Sequence, residues 1–216
     1  MPTKTDPVAV DDHSASAQLA ELRELSATDP AEARRHAWLL LLDLGERDDR
    51  QALHELWLAG DQPAEAPGRT VGVNLGRVHD TPRARMQNMM LRFDPWTGKT
   101  IGSTEGYNRL LARALPTVKL LSRRRAPWRD GDEIAAFPFD VEFTDGAIEP
   151  RRPVLAINYG APRHGNPTRG AFPVGRIRDE VVELVDGVYV ARVLFGGRGG
   201  LRHISAFGLL RDEPAR

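Results

Sequence analysis

The sequence predicts a mainly β protein, in which a small antiparallel barrel of about eight strands follows a short α-helical N-terminal region. Apolar residues recur at helical spacing before Gly60 and at alternate positions beyond the Pro- and Gly-containing segment that follows it. Tight turns rather than helices separate the later strand segments, as in antiparallel sheets, and closure into a barrel removes exposed edges. We predict a disordered tail over 1–12, helices over 13–60, a linker over 61–68 and the barrel over 69–212.

Capping residues indicate where the helices begin. Ser14 or Ser16 can cap a first helix, because a serine side chain accepts a hydrogen bond from the backbone N–H groups of the first turn. Asp29 as N-cap, with Pro30 at the first helical position, starts a second helix. Asp48 or Asp49 can cap a third helix, which ends at Gly60. We expect the three helices to pack as a hairpin with a leading helix.

The strand segments share apolar residues bounded by turn residues. Asp145-Gly146 and Asp186-Gly187 predict hairpin turns, and a short helix is predicted over 83–91. The predicted strands are 69–78, 97–101, 117–122, 133–143, 154–159, 176–185, 188–195 and 201–210.

Composition excludes several classes of site. The chain has no cysteine, which excludes disulfides, iron–sulfur clusters and thiolate zinc sites and fits a reducing cytoplasm. Its longest unbroken apolar run, 37–42, has six residues, whereas a membrane-spanning helix needs about 20. The histidines lack metal-ligand spacing, and no nucleotide-binding fingerprint is present. We therefore predict a cytoplasmic protein with no membrane partner, no metal and no cofactor.

The net charge of zero hides an asymmetry along the chain. Residues 1–60 carry 12 acids and 6 bases, a net charge of −6, whereas residues 61–216 carry 18 acids and 24 bases, a net charge of +6. A basic run, Arg123 to Arg125 followed by Arg129, can meet phosphates or an acidic partner. A nucleic-acid module needs a longer basic stripe with stacking aromatics, so we predict no nucleic-acid partner. The acidic helices are a candidate arm for a protein partner.

Polar residues among apolar strand neighbours are candidates for a site inside the barrel. A barrel of about eight strands is either filled by side chains or holds one small ligand. Alternation sends successive side chains to opposite faces without saying which face is inside. The candidates are Asn74, Lys99, Asn158, Arg178, Glu180, Arg192 and His203.

Two of the candidates flank Gly98, which opens a predicted strand. Trp96, beside this bend, can plug one end of the barrel or stack on a ligand. Lys99 can be a solvated lysine, or it can point inward and neutralise a buried carboxylate. A buried lysine has a lowered pKa and can form a Schiff base.

Arg178 and Glu180 lie two residues apart in one predicted strand and therefore share a face. They can form an ion pair, which would point to function if it is buried and to nothing if it is exposed. His203 lies in an apolar strand segment. It can act as an acid, a base or a haem ligand, or it can be a hydrogen-bonded structural histidine.

The segment Trp96-Thr97-Gly98-Lys99 resembles the core of the GXWXGK domains, a lipocalin-like family of unknown function, with Asp94 in place of the first glycine of the motif. The wider order of the chain is similar to uncharacterised actinobacterial proteins. The resemblance implies a small calyx-like barrel and carries no known reaction or catalytic residue. The segments that carry the wider similarity are 57–60, 95–99, 106–108, 178–180 and 187–189.

Three hypotheses for function follow. The first is a barrel that binds an apolar or amphipathic small molecule in its interior. The second is a cofactor-independent isomerase or cyclase that uses the same cavity, with Lys99, Glu180 or His203 as acid or base. The third is a filled structural barrel with a helical protein-interaction arm. The ligand-binding candidates are Trp96, Lys99, Asn158, Arg178 and His203.

Overall fold

The computed structural model describes residues 14–80, 84, 88, 95–121, 126–170 and 173–212. The helices are α1 (Ala15–Ser26), α2 (Pro30–Glu46), α3 (Arg50–Ala59) and α4 (Leu115–Leu121), with 3₁₀ turns at Ala112–Ala114, Pro162–His164 and Val174–Arg176. The strands are β1 (Gly68–Leu75), β2 (Trp96–Ile101), β3 (Glu105–Leu111), β4 (Trp128–Asp130), β5 (Glu133–Asp145), β6 (Pro153–Asn158), β7 (Ile177–Val185), β8 (Val188–Gly197) and β9 (Gly200–Arg211).

Eight of these strands form a closed antiparallel barrel in the order β1-β2-β3-β5-β6-β7-β8-β9, with β9 paired to β1. Closure depends on β5, which pairs with β3 through Glu133–Asp140 and with β6 through Asp140–Asp145. The strand bends within the β3 pairing, where the register shifts between the partners of Gly106 and Asn108 and Phe137 has a φ of 50°. Strand β4 is a short addition that pairs with the start of β5. The predicted fold class, a barrel after N-terminal helices, is confirmed.

The two ends of the barrel differ in how the chain crosses them. At the end where β1 and β3 finish, here called the upper end, β5 is reached through α4 and β4. Ala114 and Val118 belong to the core inside the barrel, so the segment containing α4 closes part of this end. The lower end is crossed by shorter connections at 102–104, 146–152 and 186–187.

The helices α1 to α3 cover the outer face of one side of the barrel. Their leucines and Trp57 share a buried cluster with outward-facing residues such as Leu75, Val182 and Val190. Val73 and Leu75 of β1 therefore face the helices. Thr70 faces the lumen, where it pairs with Lys99 of β2. The barrel wall is therefore buried on both faces along this side.

The predicted capping residues begin the helices as expected. The side chains of Ser14, Asp29 and Asp49 accept hydrogen bonds from backbone N–H groups in the first turns of α1, α2 and α3. The predicted linker is attached to the barrel, because Asp61 forms a β bridge with Glu183. The predicted tail over 1–12 lies outside the described residues.

Two secondary-structure predictions are wrong. Of the segment predicted as a strand over 117–122, residues 117–121 belong to α4, because Ala114 and Val118, one helical turn apart, both pack into the barrel core. Strand β3 was not predicted, because its inward positions include Gly106 and Asn108 rather than large apolar residues. The predicted helix over 83–91 lies almost entirely outside the described residues.

The two predicted hairpin turns have different outcomes. Asp186-Gly187 joins β7 directly to β8, and Gly187 has a φ of 77°. Asp145 ends β5, but the connection to β6 continues to residue 152 rather than closing in two residues. Part of this longer loop lies on the outer face of β7, where the Ala147 N–H donates to Glu180.

We predict that Gly98→Ala destabilises the barrel by at least about 2 kcal/mol, measured by urea unfolding. Gly98 has a φ of 147°, and a Cβ there would lie 2.0 Å from the Thr70 carbonyl oxygen. Gly199→Ala is the control, because no atom lies within 4 Å of the Cβ that it would add. Equal free energies of unfolding for the two variants would contradict the prediction.

Candidate functional site

A buried ion pair lies inside the barrel. The Lys99 Nζ is 3.2 Å from the Asp179 Oδ2, and the two side chains are 4% and 3% exposed. Lys99 pairs with Asn108 across β2 and β3, and Asp179 pairs with Ile157 across β6 and β7. The alternation of these strands turns both charged side chains into the lumen.

Asn108 and Tyr159 complete a hydrogen-bonded network around the ion pair. The Lys99 Nζ donates to the Asn108 Oδ1 at 2.8 Å and to the Tyr159 hydroxyl. The Tyr159 hydroxyl also lies 3.3 Å from the Asp179 Oδ2. The Asn108 amide donates to the Phe137 carbonyl at the bend in β5. We call Lys99, Asn108, Tyr159 and Asp179 the lumen network.

Aromatic rings surround the Lys99 ammonium. Its Nζ lies 4.8 Å from the ring centroid of Phe207, 5.2 Å from Tyr159, 5.3 Å from Phe139 and 5.4 Å from Trp96. The faces of aromatic rings attract cations, most strongly where water is excluded. The rings therefore stabilise the charged form of the lysine and make up the apolar part of the site.

Burial shifts the pKa values of the network towards the neutral forms. Burial lowers the pKa of Lys99, and the nearby Asp179 carboxylate opposes that shift. Burial raises the pKa of Asp179, against the attraction of Lys99. Burial, with the negative charge of Asp179, raises the pKa of Tyr159 well above its ordinary value. A proton can therefore be redistributed within this network at a lower free-energy cost than between the same groups in water.

The lumen is more exposed above the network than below it. Near the upper end, the lumen-facing side chains of Trp96, Ile177 and Val193 are half-buried. Below the network, Tyr189 and Leu209 are fully buried. Trp96 packs edge-on against Phe207 and lies over β1 at Gly72, where a Cβ would lie 2.4 Å from its ring. The described structure thus places half-buried apolar side chains above a buried polar network.

The structure brings only some of the predicted site residues together. Trp96 and Lys99 face the lumen, as the interior-site hypothesis requires. Arg178 and Glu180 face outward, because they alternate along β7 with the inward-facing Asp179. Asn158 pairs with Arg178 across the strands and also faces outward. His203 also faces outward, towards His54 of α3. Asn158, Arg178, Glu180 and His203 therefore do not line the lumen.

Glu180 lies at the centre of a second buried charge cluster, between the barrel wall and α3. It is 0% exposed and accepts hydrogen bonds from Arg192 at 2.6 and 2.8 Å and from Arg178 at 3.0 Å. The Arg192 guanidinium carbon lies 3.7 Å from the ring centroid of Trp57. The Trp57 indole N–H donates to the Glu180 carbonyl at 2.9 Å. The predicted Arg178–Glu180 pair is thus buried, and it fastens α3 to the barrel.

Three histidines lie beside this cluster. The His203 ring centroid is 6.2 Å from that of His54 and 5.6 Å from that of His79. Burial, together with the neighbouring positive charges of the other histidines and Arg192, lowers the pKa of His203 to about 4, although its hydrogen bond to the Ser205 carbonyl opposes the shift. His203 is therefore neutral near pH 7.

The sequence interpretation missed Asp179, Asn108 and Tyr159. Asp179 alternates with Ile177 and Val181, so a signal for an inward acid was present in β7. The same strand carries apolar residues in the opposite phase as well, because its outer face is buried under the helices. Periodicity therefore did not distinguish the inward residues from the outward ones.

The sequence and the fold were compared with known proteins. No family model, no curated protein and no solved structure matches the chain. Across the described ranges, no group of three or more His, Cys, Asp or Glu side chains is arranged to hold a metal ion. Within the same ranges, no helix is long and apolar enough to cross a bilayer.

We predict that Glu180→Leu destabilises the protein by about 3–5 kcal/mol, because it leaves buried Arg192 with the half-buried Glu149 as its remaining described carboxylate partner and removes the acceptor of Arg178 and of the Ala147 N–H. Combining it with Arg192→Met should recover much of this loss, since both charges are then removed. Urea unfolding of the two single variants and the double variant measures the coupling. Strictly additive losses would show that the two side chains do not act as a pair.

We predict that stability falls as the pH drops from about 6.5 to about 4, and that His203→Gln reduces this slope. Over that range the unfolded histidine binds a proton, whereas folded His203, with a pKa of about 4, does not. The expected contribution is about 2–3 kcal/mol, measured as the free energy of unfolding against pH. His36→Gln, at an exposed site on α2, is the control. An unchanged slope in His203→Gln would contradict the assignment.

Proposed function

We propose that the barrel binds an apolar or amphipathic small molecule in the upper part of its lumen. Trp96 forms one side of the site, and the lumen network forms its floor. The observation that carries the proposal is the Lys99–Asp179 ion pair, which is buried in the lumen beneath the half-buried apolar side chains of Trp96, Ile177 and Val193. An apolar cleft with a few convergent polar groups is the usual form of a small-molecule site.

The energetics of the ion pair support a role beyond stability. Moving two charges out of water costs several kcal/mol each, and apolar residues of similar volume are often equally stable or more stable. The lumen is otherwise lined by residues such as Ile157, Val181 and Ala191. A purely structural core does not need a lysine and an aspartate at its centre, whereas recognition of a polar group on a ligand does.

The site also suggests the chemistry of its ligand. The apolar part would pack on Trp96, Ile177 and Val193. Lys99 and Tyr159 supply N–H and O–H groups, so a carboxylate, carbonyl or hydroxyl oxygen suits the polar end. The proposal includes three further expectations. The chain belongs to the lipocalin-like GXWXGK family, it is located in the cytoplasm, and it acts without a cofactor.

A second candidate function is catalysis by the same network. Lys99, Tyr159 and Asp179 are joined by hydrogen bonds, and burial shifts the pKa values of all three. A proton relay of this kind suits an isomerase or cyclase without a cofactor. Lys99 carries this candidate alone among the predicted acids and bases, because Glu180 and His203 face away from the lumen.

A third candidate is a filled structural barrel with the helices as an interaction arm. Its support is that Lys99 directs its ammonium at three partners inside the network, Asn108, Tyr159 and Asp179. On the helices, Leu39 and Leu58 are 48% and 43% exposed and are available to a protein partner.

We predict that 8-anilinonaphthalene-1-sulfonate, an amphipathic fluorescent probe, binds the folded protein at about one site. The double variant Lys99→Met/Asp179→Leu should weaken this binding at least about tenfold, because the polar floor is lost while the volume of the core is kept. Arg151→Gln, an exposed position at the lower end, is the control and should bind normally. Urea unfolding of each variant shows that the fold is retained.

Equal binding by the folded double variant would overturn the proposal and favour the filled barrel. A second experiment separates the binding protein from the enzyme. Compounds are extracted from the purified protein, identified by mass spectrometry and added back to it. Recovery of the compound unchanged supports a binding protein. Conversion by the original protein, but not by Lys99→Met/Asp179→Leu, supports the enzyme.

A further inference from the structure

A small surface cavity lies on the outer side of α4, at the upper end of the barrel. Its volume is about 160 Å³. Ala112, Leu115, Pro127 and Ile134 form its apolar floor. Ile134 also belongs to the core inside the barrel, and Leu115 packs against that core, so the floor is fixed by the packing of the barrel itself.

Trp128 forms one wall of the cavity. Its ring packs edge-on against Tyr107, with the centroids 5.1 Å apart and the planes at 67°. Because Trp128 lies on β4 and Tyr107 on β3, both paired to β5, this wall is anchored to the sheet. Trp128 is nevertheless 37% exposed, and its indole offers a surface on which a second ring can pack.

Two cations line the cavity, Lys119 from α4 and Arg129 from β4. Both are exposed, and neither forms an ion pair with any described carboxylate. Lys119 and Arg129 can therefore direct their charges at a bound anion.

The one acid at the cavity, Glu133, is already bound by arginines. Arg109 donates to its Oε2 at 2.6 Å and Arg69 at 2.9 Å. Burial would raise the pKa of Glu133, but the hydrogen bond and positive charge of Arg109, with Arg69, lower it. The same network includes Asp130 and Asp212 on Arg69. These acids have cationic partners of their own, and Lys119 and Arg129 stand outside the network.

The charge pattern of the sequence agrees with an anionic ligand. Between residues 106 and 129 the chain carries seven lysines and arginines and no aspartate or glutamate. Among the described cations of this stretch, Arg113, Lys119 and Arg129 are exposed, and exposed charges of one sign favour a ligand of the opposite sign. The basic run Arg123 to Arg125 with Arg129 lies within this stretch, and Arg129 lines the cavity.

We propose that this cavity binds a small anion that carries an apolar group about the size of one ring, such as an aryl carboxylate or an aryl phosphate ester. An apolar cavity of about 150 Å³ holds one benzene molecule, so the volume suits a single ring. The ring packs on the apolar floor and against Trp128, and the anionic group meets Lys119 and Arg129. The site is separate from the lumen network and does not depend on the function proposed for it.

Phenyl phosphate is the probe for this site, and its binding is followed by calorimetry at low salt. We expect it to bind at least about tenfold more tightly than either inorganic phosphate or phenol, because each of these lacks one half of the recognised chemistry. Lys119→Gln/Arg129→Gln should weaken binding at least about tenfold and abolish most of its salt dependence. Trp128→Ala should weaken it while leaving the salt dependence in place.

Two controls make the result decisive. Arg151→Gln/Arg198→Gln removes two exposed arginines elsewhere and should leave binding unchanged. Lys99→Met/Asp179→Leu should also leave it unchanged, so failure of the lumen proposal and failure of this one are distinguishable. Equal binding of phosphate and phenyl phosphate would overturn the proposal, as would full binding by the Lys119→Gln/Arg129→Gln variant.

Discussion

The ion pair between Lys99 and Asp179 is the interaction on which the interior of the barrel depends. Each charge is stable in this space only because the other is present, and both need the hydrogen bonds of Asn108 and Tyr159. Three of the residues lie on β2, β3 and β7 and Tyr159 directly follows β6, so the network joins these strands across the inside of the barrel. The charges of Lys99 and Asp179 and the positions of the strands that carry them are therefore coupled, so a change in the protonation of this pair would also change the packing around it.

The outer face of the barrel follows the same rule under the helices. Glu180 and Arg192 are as deeply buried as the lumen pair, and they are compensated by Arg178 and by the ring of Trp57. The wall thus holds buried charges on both faces, with Asp179 inward and Glu180 outward as successive residues of β7. The outward cluster attaches the helices, whereas the inward cluster lies among the side chains that fill the barrel.

The covering of the barrel is uneven, and this separates the two proposed sites. Helices α1 to α3 cover the outer face of β1 and β6 to β9, and their segment carries the acidic excess of the chain. The basic segment instead contributes α4 and β4 at the upper end, beside β3 and β5. Residues 1–60 and 61–216 carry opposite net charges, −6 and +6, which cancel over the chain. The anion-binding cavity lies in the positive region, outside the core that surrounds the lumen network.

The sequence by itself determined the cap of α2 at Asp29, limited the caps of α1 and α3 to two residues each, and determined the hairpin at Asp186-Gly187 and the barrel class. These features are set by neighbouring residues, whose backbone preferences act locally. It also singled out Lys99 and Trp96 by their place beside Gly98. Only the tertiary structure decided which face of each strand is inside, that α4 is a helix, and that Asp179 is the partner of Lys99. Alternation shows that successive side chains of a strand point to opposite faces. Where both faces of the barrel wall are buried, both sets of alternate residues are apolar, and only packing decides which set points inward.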